Sequence, residues 1–84
     1  MPKYQILGVH ITDRFKEVPT VQAIFTEFGC NVKTRLGLHN VSGDYCASNG
    51  LVLIEFYGEP AKCQDMADKL AAVEGVEVKS MVFD

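Results

Sequence analysis

The chain has 84 residues, 48% of them apolar and 23% charged, with a net charge of −3. That is one domain with a core of its own, too apolar for a disordered tail and too acidic to hold nucleic-acid phosphates by charge. No apolar run approaches the ~20 residues of a membrane-spanning helix, and the opening Met1-Pro2-Lys3-Tyr4 leads into a strand rather than a leader peptide, so a cytoplasmic protein of residues 1–84 is expected.

Tyr4 to Thr12 alternates as a strand, with Leu7, Val9 and Ile11 on one face and Tyr4, Ile6, Gly8 and His10 on the other. Asp13 can cap a helix, its carboxylate accepting from the open first-turn amides. The apolar stripe of that helix is Phe15, Val18, Val21, Ile24, Phe25 and Phe28. Pro19 lacks a donor, which predicts either an irregular first turn or a helix starting near Val18. Gly29 suits a left-handed helix end.

Cys30 to His39 reads as the second strand, with Lys33, Arg35, Gly37 and His39 alternating against Val32, Thr34, Leu36 and Leu38. Asn40 to Asn49 has the Ser, Gly, Asp and Asn content of a loop. Gly50 to Tyr57 is the third strand. Pro60 belongs at the first position of a second helix, where its missing amide costs nothing. That helix places Cys63, Met66, Ala67, Leu70 and Val73 on one stripe and Lys62, Asp65, Asp68 and Lys69 opposite. Gly75 closes it, and Val76 to Phe83 alternates as the last strand. The order strand-helix-strand-strand-helix-strand predicts an α+β ferredoxin-like sandwich: a four-stranded antiparallel sheet with two helices on one face.

The third strand is apolar on both sides, with Val52, Ile54 and Phe56 against Leu51 and Leu53. Together with Tyr4, Ile6, Met81 and Phe83, its outer side predicts an apolar patch on the helix-free face, and hence a homodimer or tetramer packed through the sheet.

No GxSxG, P-loop, GxGxxG or HExxH motif occurs, so no catalytic residue and no cofactor is predicted. The three cysteines form no CxxC pair. Cys63 fits a core stripe, Cys30 the start of a strand, and Cys46 a polar loop. His10, ending a strand, reads as a structural histidine. The chemically capable groups gather around Arg35, His39 and Cys46, and three readings stand side by side. Arg35 could supply a planar fork for a carboxylate or phosphate, with His39 and loop amides beside it. His39 and Cys46 could ligate nickel, zinc or iron across a subunit interface, as a metal sensor or carrier. Or Arg35 simply pairs with Glu55 across the sheet while His39 caps the loop. Asp13 and Arg14, between strand and helix, form a second candidate lobe for a small anion.

The segments Ile11-Thr12-Asp13-Arg14, Arg35-Leu36-Gly37-Leu38, and Asp68-Lys69-Leu70 with Gly75-Val76-Glu77-Val78-Lys79 resemble those of the small iron-only hydrogenase system regulators. These are stand-alone ACT-like domains, similar in fold to the C-terminal domain of the nickel-responsive repressor. The resemblance implies an ACT-like fold and a non-enzymatic, oligomeric, ligand-responsive role. Read with the residues themselves, the expected ligand site lies at Arg35, Gly37, His39 and Cys46, with Asp13 and Arg14 as a second lobe, for a small molecule or partner protein. The chain departs from that pattern in its longer stretch from Asn40 to Asn49 and in Leu38-His39, which replaces an aromatic-proline pair. Gly37 stands where the repressor has the first histidine of an HxH pair. No ribbon-helix-helix segment precedes Tyr4, so direct DNA reading is not expected.

Overall fold

The computed structural model describes the backbone of every residue except 1, 13, 43 and 44, and the side chains outside 14–18 and 38–49. Its elements are β1 (Tyr4–Ile11), α1 (Arg14–Glu27), a 3-10 turn (Gly29–Asn31), β2 (Val32–Ser42), β3 (Tyr45–Phe56), α2 (Pro60–Ala71) and β4 (Val76–Phe83). The four strands form one antiparallel sheet in the order β2-β3-β1-β4, which gives the predicted ferredoxin-like βαββαβ fold. No helix among the described residues is long and apolar enough to cross a membrane.

Alternation along β1 sorts the sheet into two faces. Gln5, Leu7, Val9 and Ile11 are buried, while the residues between them are not. The buried set meets Ile54 and Phe56 of β3, Val76 of β4, and the helix stripes Val21–Phe25–Phe28 and Cys63–Met66–Leu70. The stripe of α2 is the predicted one, and Pro60 stands at its first turn after Glu59.

In three places the structure departs from the sequence-based expectation. Helix α1 runs from Arg14 straight through Pro19. The proline removes one intrahelical bond, and the turns that follow are anchored by the burial of Val21, Phe25 and Phe28. Gly29 is not in the left-handed region. The chain leaves the helix through the 3-10 turn, in which the Asn31 amide donates to the Phe28 carbonyl at 2.8 Å, so Cys30 lies in this turn and not in a strand. Finally, the stretch from Asn40 to Asn49 is not an irregular loop. Ser42 pairs with Tyr45 and Val41 with Cys46, so it forms the arms of a β2–β3 hairpin, reached through a register shift after His39.

Side chains tie the connections down. Gln5 Nε2 donates to the Gly58 carbonyl at 2.8 Å, Asn31 Nδ2 donates to the Tyr57 carbonyl at 2.9 Å, and the Tyr57 amide donates back to Asn31 at 2.7 Å. The turn before α2 is thereby fixed to both β1 and the 3-10 turn. At the opposite end, the Thr12 amide and hydroxyl both donate to the Gly75 carbonyl, at 3.0 and 2.8 Å. Lys69 of α2 pairs with Glu27 of α1 and lies 5.5 Å from the Phe28 ring centroid. Lys69 thus bridges the two helices.

Gly58 has φ +142°, and a Cβ there would lie 2.7 Å from Asn31 Nδ2 and 3.3 Å from the Phe56 ring. Gly58→Ala is expected to destabilise the fold by about 1–3 kcal/mol through backbone strain and displacement of Asn31. Urea unfolding checks this, and an unchanged midpoint would show that the turn relaxes freely.

Candidate functional site

Arg35 lies on the edge strand β2 opposite Ile54, a core residue, so it belongs to the helix-side face. Its guanidinium carbon stands 4.7 Å from the ring centroid of Phe25 on α1. A cation over a π face is attracted by the ring quadrupole, and the stacking leaves the guanidinium edge, with its N–H groups, exposed. A shallow cleft of about 200 Å³ opens there, lined by Phe25, Thr26, Gly29, Val32 and Arg35. An anion presented edge-on would meet a rigidly backed, two-pronged donor.

The expected Arg35–Glu55 pair is not formed. A register shift between Val32 and Thr34 sets Thr34 opposite Glu55, so Glu55 lies on the other face of the sheet from Arg35. Lys33 takes the pairing instead at 3.7 Å, and Thr34 Oγ1 donates to Glu55 Oε1 at 3.2 Å. Lys33 and Arg35 therefore do not share a face as plain alternation predicts.

Gly37 stands opposite Val52, on the face of Arg35, and among the described residues a Cβ placed there would meet nothing within 4 Å. His39 lies opposite Gly50, which in turn lies opposite Ile11 at the end of β1. Its backbone is thus two strand spacings, roughly 10 Å, from the residue that precedes Thr12 and the start of α1. The topology brings the backbones of His39 and Arg14 to one end of the sheet, with Cys46 further out on the hairpin. Asp13 lies outside the described residues, as do the side chains of Arg14, His39 and Cys46. Among the described residues, no group of three or more His, Cys, Asp or Glu could hold a metal ion.

His10 is half-buried on the outer face, opposite Leu51 on one side and Glu77 on the other. Cys63 is core filler, as expected, and burial raises its thiol above the ordinary value of 9.0. Two features escape the sequence reading. Phe25 serves as the platform for Arg35, a pairing that periodicity within one helix cannot reveal. A groove of about 650 Å³ also runs between α2 and the β1–β4 pair at the far end of the domain, past Gln5, Pro60, Cys63, Ser80 and Val82.

The fold is ACT-like. No protein-family model matches the chain, and no curated protein matches it. Among solved structures, the uncharacterized protein TM1266 from Thermotoga maritima is similar over 100% of both chains, with a TM-score of 0.84 and 19% identity. A formyltetrahydrofolate deformylase from Pseudomonas putida KT2440 is similar over 94% of this chain and 28% of its own, with a TM-score of 0.57 and 15% identity. At such identities the likeness concerns the fold alone.

The two described thiols should behave differently under native alkylation. Exposed Cys30 is expected to react with iodoacetamide within minutes at pH 8, while Cys63, buried and held in its thiol form, reacts only through unfolding. Peptide mass mapping reads both; equal labelling would mean that α2 opens readily.

Proposed function

We propose that the chain is a stand-alone ACT-like regulatory module: non-enzymatic, assembled as a homo-oligomer through its sheet, and responsive to a small ligand. One observation carries this reading. The helix-free face of the sheet presents Tyr4, Leu36, Leu51, Met81 and Phe83, each 36–53% exposed, with Leu53 and Ile6 between them. A soluble domain rarely leaves so continuous an apolar face to water, and a second copy presents the same face to cover it.

The ligand is a small anion, carboxylate or phosphate, held by Arg35 against Phe25 near Gly37. His39 and the Cys46 hairpin arm lie further along the sheet, past Gly37, and with Asp13 and Arg14 make up a second lobe of the proposed site. The resemblance of the Arg35-Leu36-Gly37-Leu38 and Ile11-Thr12-Asp13-Arg14 segments to iron-only hydrogenase system regulators supports regulation of such a system as the setting. The missing catalytic motifs fit a sensor better than an enzyme.

Sedimentation equilibrium is expected to give a dimer or tetramer at micromolar concentration; a monomer mass throughout would remove the oligomeric half of the reading. Calorimetry against amino acids, inorganic phosphate and small carboxylates is expected to find a binder. Arg35→Ala should weaken that binder by about tenfold to a hundredfold, as befits loss of a charge-assisted bidentate contact. Binding that survives the substitution unchanged would move the site elsewhere.

A further inference from the structure

Gly8 occupies the middle of β1, a central strand, on the helix-free face. Glycine is a poor choice for a strand interior, since it loses the most backbone freedom on folding and offers nothing to pack. Two structural reasons could require it, and neither applies. Its φ is not in the left-handed region, which among the described glycines holds only Gly58 and Gly75. A Cβ at Gly8 would sit 3.8 Å from Leu53 Cδ2 and 3.8 Å from the Lys79 carbonyl, both ordinary van der Waals contacts. The fold itself would accept a side chain there.

Around Gly8 the face is mostly apolar on the β3 side and polar at Lys79 and His10. Leu36 and Leu53 lie in its cross-strand row on one side and Lys79 on the other, with Ile6 and His10 next along β1. Met81 stands beside Ile6, and the edge-on Tyr4–Phe83 pair closes the lower end at 6.3 Å. Having no side chain of its own, Gly8 is the position on that face that leaves room beside Leu53 for a side chain from outside. Packed sheets interdigitate, so room of this kind on one face receives a side chain from the face opposite.

We infer that Gly8 is where a second copy of this chain seats a side chain, so that this glycine is an interface residue and not a folding residue. The inference rests on the sheet-packed oligomer proposed above and fixes the centre of its contact. Two properties of the face favour a second copy as the occupant. Its charges cancel: Glu55 is paired with Lys33, and Glu77 and Lys79 are neighbours on the edge strand β4, so two such faces meet without net repulsion although each chain carries −3. Its extent is also adequate. Four strands of about eight residues outline roughly 500 Å² in projection. Side-chain relief brings this toward the roughly 600–1,000 Å² per partner that specific interfaces bury.

Sedimentation equilibrium of wild type, Gly8→Val and Gly8→Ala, with far-UV circular dichroism on each, tests this. The expected result is an associated wild type and a folded Gly8→Val whose association is weakened by about tenfold to a hundredfold, the effect of overfilling a packed contact, with Gly8→Ala in between. Should Gly8→Val fail to fold, Gly8→Ala, whose methyl fits at ordinary distances, decides the matter by the same shift. If wild type associates and the folded variants associate equally well, Gly8 lies outside the contact and this inference falls while the oligomer stands. If wild type is monomeric throughout, both fall.

Discussion

Everything else in this domain follows from the placement of β1 between β3 and β4, with its side chains alternating strictly between two faces. Leu7, Val9 and Ile11 give the helices a surface to cover, and each is essentially removed from water. Burial on that scale, at about 25 cal/mol per Å² of apolar surface, is the main force available to a domain of this size. A one-residue slip of β1 would turn Ile6, Gly8 and His10 toward the helices and leave the core set outside. The register with β3 and β4 is therefore fixed by hydrophobic burial, and the two crossovers through α1 and α2 are fixed with it.

The irregularities of β2 decide where the chemically capable residues stand. Its first register shift, between Val32 and Thr34, separates Lys33 from Arg35, sending one to Glu55 and the other to Phe25. The consequence is electrostatic as well as geometric. Glu55 is neutralised on the outer face, and the guanidinium keeps its hydrogen-bonding edge on the helix side, at the edge of the sheet. A bulge of this kind re-aims a side chain without altering the composition of the strand.

That difference explains which features are legible in the sequence. The order of elements, the α2 stripe of Cys63, Met66 and Leu70, Pro60 at the helix start and the two-sided apolar character of β3 all follow from local periodicity, and the structure carries them unchanged. The hairpin from Asn40 to Asn49 is not legible, because its polar and small residues suit a loop as well as a strand, and its pairing comes from the neighbouring arm. The path through Pro19 is likewise set by burial further along α1. The partners of Arg35, Glu55 and Lys69 depend on register and on contacts between elements, which periodicity along one element does not contain. Of the candidate site, the clustering of Arg35, Gly37 and His39 on one strand is readable; the Phe25 platform behind Arg35 is not.

The outer face poses a different question, since the fold does not require its composition. Tyr4, Leu36, Leu51, Met81 and Phe83 take no part in the core beneath the helices. Polar β-formers such as threonine would serve the strands at these positions at little cost in strand propensity. Their apolar character is what the sheet-packed assembly proposed for this chain would explain. The glycine at position 8 leads to the same conclusion from the opposite side, because there the strand would gain from a side chain and has none. Large exposed residues that take no part in the core surround a glycine that the fold does not require, and the proposed assembly, in which a complementary surface packs against this one, would account for both.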